Sequence, residues 1–89
     1  SKGDVAGAIA ALDRALKLDP DNADAALFAA QMARGRIGPV AALPMFERAR
    51  SLRPDHVRTL EEQAATLLEA GEALQALAVS RELQRLDQK

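Results

Sequence analysis

The residues that most closely match a metal-binding pattern lie between positions 18 and 25. They read Leu-Asp-Pro-Asp-Asn-Ala-Asp-Ala, which puts three aspartates and an asparagine within six residues. An EF-hand calcium loop needs oxygen ligands at its first, third and fifth positions, glycine at the sixth and glutamate at the twelfth. Counted from Asp19, the fifth and sixth positions hold Ala23 and Asp24, and the twelfth holds Ala30. We therefore expect no calcium site here.

The other reactive side chains do not form a catalytic pattern. His56 is the single histidine and lies in a predicted turn, where we expect it to be exposed rather than a base or a ligand. With no cysteine in the chain, thiolate zinc sites and disulfides are excluded. Glu61, Glu62 and Glu69 are interpreted as a solvated helix face, because catalytic carboxylates need an enclosing pocket. The sequence predicts a protein that is not an enzyme and uses no cofactor or metal.

Composition favours a small helical protein. The 89 residues are 48% hydrophobic but only 2% aromatic, and abundant alanine and leucine favour closely packed helices. The chain is one small domain or a piece of a longer protein. A net charge of −1 without a basic run argues against nucleic-acid binding. No apolar run approaches the ~20 residues needed to span a bilayer, so membrane insertion is not expected.

The origin and compartment of the protein are only weakly indicated. The bias toward alanine, arginine and leucine favours a GC-rich bacterial genome. A cytoplasmic location is expected because no signal-peptide pattern opens the chain, and a periplasmic one stays open if such a segment was trimmed.

An internal repeat explains the acidic stretch. Shifted by 34 residues, positions 18–25 align with Leu-Arg-Pro-Asp-His-Val-Arg-Thr at 52–59. The stretch is therefore a hinge between repeats rather than a metal loop. A fixed period of this length is typical of a solenoid, in which each unit buries its apolar face against its neighbours. Other matched columns are Ala8, Ala42 and Ala76; Ile9, Leu43 and Leu77; Ala6, Val40 and Leu74; and Leu18, Leu52 and Leu86.

Two helices can be read within each period, which predicts about five in all. The first helix has Asp4 as its expected N-cap and ends before Asp19-Pro20. The second spans about 23–35 after Asp21 or Asn22, and the third opens at Gly38-Pro39. The fourth, at about 57–70, is expected to be capped by Asp55. The last spans about 72–86 after a turn at Gly71. Pro44 predicts a kink or a late start in the third helix.

The period and its residue pattern closely resemble the tetratricopeptide repeat, or TPR. The family places small residues at the eighth and twentieth positions of a unit, alanine often at the twenty-seventh and proline at the thirty-second. The first full unit supplies Ala30, Ala42, Ala49 and Pro54 at those places. The resemblance implies an all-α fold of antiparallel helix-turn-helix repeats stacked as a right-handed solenoid. We interpret residues 1–89 as one domain, with a partial repeat at 3–22 and full repeats at 23–56 and 57–89.

The resemblance also implies a concave groove lined by the first helix of each unit, which would hold an apolar spot beside an acidic one. Leu27 and Phe28 are the expected main contacts, unless Phe28 packs against a further helix. Carried over from the family, the groove positions are Asp24, Leu27, Phe28, Gln31, Arg34 and Gly35 in the first full repeat, and Arg58, Glu61, Glu62, Ala65, Leu68 and Glu69 in the second.

We therefore expect a protein–protein interaction module that binds a peptide or helix carrying apolar and basic residues. Two alternatives stay open. One is a structural element that self-associates as a homodimer and buries its incomplete first unit. The other is an accessory domain of a larger enzyme.

Overall fold

Five α-helices make up the fold. The structure is a computed structural model that describes the backbone of residues 2–88, and within them the side chains of all but residues 2–5, 8, 9 and 12. The all-α fold predicted from the sequence is confirmed, and its five helices are consistent with a TPR helical repeat. The helices are α1 (Lys2–Leu18), α2 (Ala23–Arg36), α3 (Pro39–Leu52), α4 (Val57–Glu69) and α5 (Ala73–Asp87).

Local signals account for most of the helix ends. The Oδ1 atom of Asn22 accepts a hydrogen bond of 3.0 Å from the Ala25 amide, which confirms Asn22 as the cap of α2. Pro39 is the first residue of α3, where its missing N–H leaves no helical bond unmade. Gly71 has φ of 81° in the turn before α5, a left-handed conformation that favours glycine.

Two expectations about the helix caps were wrong. α1 begins at Lys2, so Asp4 lies inside the helix and is not its N-cap. The N-cap of α4 is His56 rather than Asp55. The third helix runs unbroken from Pro39 through Pro44, which excludes a late start. Pro44 is exposed, and the one backbone bond that it removes is tolerated within a helix that packs through other residues.

The helices pack in sequential pairs around two apolar clusters. The first lies between α2 and α3 and surrounds Phe46, which is completely buried. The second lies between α4 and α5 around Leu60. Leu16 of α1 packs against the first cluster and Leu43 of α3 against the second. Each pair is thus joined to its neighbour. Because short turns connect helices that pack side by side, successive helices run antiparallel.

A polar contact accompanies the packing of α4 on α3. Gln63 is 3% exposed and donates a hydrogen bond of 3.0 Å from Nε2 to Oε2 of Glu47. Its other amide atom, Oε1, is buried without a hydrogen-bond partner. A buried acceptor without a partner lowers the stability of the folded chain. Gln63 is therefore a position where the packing of α4 on α3 leaves one buried acceptor without a hydrogen bond.

Candidate partner-binding groove

An open depression lies between α2 and α4. It is lined by one stretch of each helix, and every lining residue belongs to the groove set that the sequence analysis carried over from the TPR pattern. Those residues are Gln31, Arg34, Gly35, Arg58, Glu62 and Glu69.

One side of the depression is organised by Glu62. Gln31 donates from Nε2 to both carboxylate oxygens of Glu62, at 3.1 and 2.8 Å. Arg58 lies on the same helix as Glu62, and its Nε is 3.8 Å from Glu62 Oε1. The Glu62 side chain is only 25% exposed, whereas that of Arg58 is 72% exposed. Glu62 is thus held mainly by Gln31 of α2, and the guanidinium group of Arg58 lies largely in solvent.

A second bridge joins the same two helices toward their C-terminal ends. Arg34 of α2 forms an ion pair with Glu69 of α4, through Nη2 and Oε1. The Arg34 side chain is 29% exposed and that of Glu69 is 47% exposed. An ion pair at this exposure contributes about 0.2–1 kcal/mol and weakens with salt. Together with the Gln31–Glu62 contact, it links the side chains of the two helices across the depression.

The two expected apolar contacts have different environments. Leu27 is 9% exposed and belongs to the cluster around Phe46, so it contributes to the core and offers little surface to a partner. Phe28 is 53% exposed. It precedes Gln31 by three residues, which places both on one face of α2. Phe28 is therefore the apolar side chain of α2 that a partner in the groove could contact.

The remaining predicted positions are not among the residues that line the depression. Asp24 pairs with Arg53 at 2.9 Å, although its side chain is 81% exposed. Glu61 is exposed and Ala65 is partly buried. Leu68 is 62% exposed near the C-terminal end of α4.

The environment of His56 differs from the expectation. Its side chain is partly buried rather than exposed, and its Nδ1 lies 2.7 Å from Oγ1 of Thr59. Thr59 is itself 2% exposed. This contact stabilises the turn before α4. The three-residue spacing of His56 and Thr59 at the start of a helix could have indicated it.

No group of three or more histidine, aspartate or glutamate side chains among the described residues is placed to hold a metal ion. No helix in the described part of the chain has the length and apolar character needed to cross a membrane.

Comparison with known proteins supports the TPR resemblance. The family model for the TPR repeat matches residues 1–27, which form α1 and the beginning of α2. No curated protein matches the chain in sequence. TPR repeats generally mediate interactions between proteins and are typically not catalytic. A protein–protein interaction role is therefore the general class to which this fold and this match point.

Proposed function

We propose that this protein is a protein–protein interaction module that binds a peptide or helix of its partner in the groove between α2 and α4. The observation that carries the proposal is Phe28, an aromatic side chain that is 53% exposed and lies three residues from Gln31 on α2, where Gln31 lines the depression. Aromatic anchors surrounded by polar groups often dominate the binding energy of protein interfaces.

The charges of the groove favour a partner segment that carries basic residues. In the lining of the depression Arg34 and Arg58 balance Glu62 and Glu69. Asp24 is paired with Arg53, so the negative charge open to a partner is mainly that of Glu61. Glu61 is exposed, and nearly half of Glu69 faces solvent despite its pairing with Arg34. A lysine or arginine of the partner would find complementary charge at these carboxylates, which accelerates association and fixes orientation.

Binding of a defined probe tests this proposal. The probe is a fluorescein-labelled peptide of alternating leucine and lysine, and the control peptide replaces each lysine with glutamate. We expect the anisotropy of the first peptide to rise with protein concentration and that of the control to change much less. Binding should weaken as salt is added, because exposed charges are screened over about 10 Å at 0.1 M ionic strength.

A matched pair of variants locates the binding. Phe28→Glu places a charge at the proposed anchor, and Leu18→Glu does the same at an 88% exposed leucine at the end of α1. Circular dichroism first establishes that both variants fold. Loss of peptide binding in Phe28→Glu alone supports the groove. Equal binding by both variants, or no binding by the wild-type chain, contradicts the proposal.

A further inference from the structure

The outward face of α5 carries apolar and basic side chains in a continuous row. Leu74, Leu77, Ala78 and Arg81 follow one another at spacings of three, four and seven residues from Leu74, which places them on one face of a helix. Leu74 is 85% exposed and Leu77 is 47% exposed, and Ala78 and Arg81 are also exposed. We refer to these four residues as the α5 row.

The α5 row is separate from the face with which α5 packs on α4. Ala76 and Val79 are each 2% exposed in the second core cluster, and Leu83 and Leu86 pack against that cluster from the same side. The two largest members of the row are leucines that the intramolecular packing leaves in solvent. Exposed leucines beside one another mark an interaction surface more often than isolated ones do.

The α5 row has the chemistry that the groove between α2 and α4 would accept. The groove surface offers the half-exposed ring of Phe28, the exposed carboxylate of Glu61 and the half-exposed carboxylate of Glu69. The row offers two leucines, a small residue and the positive charge of Arg81. Arg85 follows Arg81 by one helical turn. Arg85 is paired with Glu82, whose hydrogen bond and charge raise the pKa of Arg85, so the positive charge that the row offers is that of Arg81.

We propose that the partner accommodated by the groove is a second copy of this chain, which presents its α5 row to Phe28 and the carboxylates Glu61 and Glu69. The proposal rests on the proposed function of the groove and names the occupant. Groove and row are different surfaces of the same molecule, so the contact is head-to-tail. In a head-to-tail pair, one copy keeps a free groove and the other keeps a free α5 row. Association therefore continues into rings or open chains rather than stopping at a symmetric dimer.

This head-to-tail geometry allows a complementation test. Phe28→Glu removes the groove surface but keeps the α5 row, and Leu77→Glu removes the row but keeps the groove. We expect the wild-type chain to increase in mass with concentration in sedimentation velocity, and to pass beyond the dimer. Each variant alone should remain monomeric, and an equimolar mixture should form a one-to-one heterodimer that grows no further. Circular dichroism spectra equal to that of the wild-type chain establish that both variants fold.

Two further variants separate this interface from other modes of association. Leu18→Glu should self-associate as the wild type does, because Leu18 belongs to neither surface. Arg81→Glu should weaken self-association about tenfold, which corresponds to ~1.4 kcal/mol. Self-association of Phe28→Glu or Leu77→Glu alone, or failure of their mixture to combine, overturns the proposal.

The proposed function and this inference fail in different ways. A wild-type chain that stays monomeric at every concentration and still binds the leucine–lysine peptide contradicts the second copy as occupant but supports the groove. A chain that stays monomeric and binds no peptide contradicts both. Self-association that high salt leaves unchanged contradicts the assigned role of Arg81 and the groove carboxylates.

Discussion

Replacement of Phe46 by alanine should remove a large fraction of the stability of the chain, whereas the same change at Phe28 should remove little. These are the only two aromatic residues in the sequence. Phe46 is 0% exposed within the first core cluster, and Phe28 is 53% exposed on α2. The comparison therefore keeps the chemistry of the substitution constant and changes only its environment.

The surroundings of Phe46 set the expected magnitude of its loss. Large-to-small substitutions of buried phenylalanine cost about 3–5 kcal/mol, depending on how far the site collapses. Five of the six other buried members of its cluster are alanines, which have no side-chain rotamers with which to fill the cavity. We expect a cost of about 4 kcal/mol. A chain of 89 residues typically has a free energy of unfolding of roughly 4–13 kcal/mol, so the variant should be marginally folded.

For Phe28 the exposed fraction gives a much smaller value. Full burial of a phenylalanine side chain is worth about 1.5–3 kcal/mol, and roughly half of Phe28 is already in solvent. Phe28→Ala should therefore lower the free energy of unfolding by about 1 kcal/mol. Urea denaturation followed by far-ultraviolet circular dichroism measures both values, and peptide anisotropy measures binding. Equal destabilisation by the two substitutions would refute the assignment of Phe46 to the core and Phe28 to the surface.

Three further substitutions test the local structure through urea denaturation. Gln63→Met should raise the free energy of unfolding by about 1 kcal/mol, because it removes the buried oxygen that has no hydrogen-bond partner. Glu47, which loses its bond from Gln63, stays hydrated at the surface. A decrease of about 1 kcal/mol or more in the free energy of unfolding would contradict this. Asn22→Ala should lower it by about 1 kcal/mol through loss of the bond to the Ala25 amide, and an unchanged value would argue against the cap. Gly71→Ala should lower it by roughly 1 kcal/mol, because φ of 81° is unfavourable for alanine although no atom lies within 4 Å of an added Cβ. A more stable Gly71→Ala variant would contradict the left-handed turn.

Much of the fold could be predicted because its signals are local. The 34-residue period, the proline and glycine positions and the Asn22 cap fix the helices to within a few residues. The cap of α4 was predicted wrongly because Asp55 occupies the repeat position of Asp21, a residue expected to cap α2. α4 begins at Val57, so the residue directly before it is His56 rather than Asp55. The first residues of α1 lack a distinctive end signal, so the sequence favours Asp4 as the cap although the helix already includes Lys2.

The groove was less predictable, because its properties depend on how the helices are rotated. The TPR resemblance implies both Leu27 and Phe28 as groove contacts. Adjacent residues of a helix point about 100° apart, however, and here Leu27 is in the core while Phe28 is half exposed. The bridges from Gln31 to Glu62 and from Arg34 to Glu69 join residues 31 and 35 positions apart. Such pairs follow from the packing of successive repeats, and no local pattern of the sequence indicates them.

Chemical-shift mapping of the labelled chain titrated with the leucine–lysine peptide would test the central claim most directly. The groove account predicts that the largest amide shifts fall on α2 and α4, at Phe28, Gln31 and Arg58 and their neighbours, while the exposed end of α1 at Leu18 is unaffected. Shifts concentrated on α1 or α3, with α2 and α4 unchanged, would contradict the account.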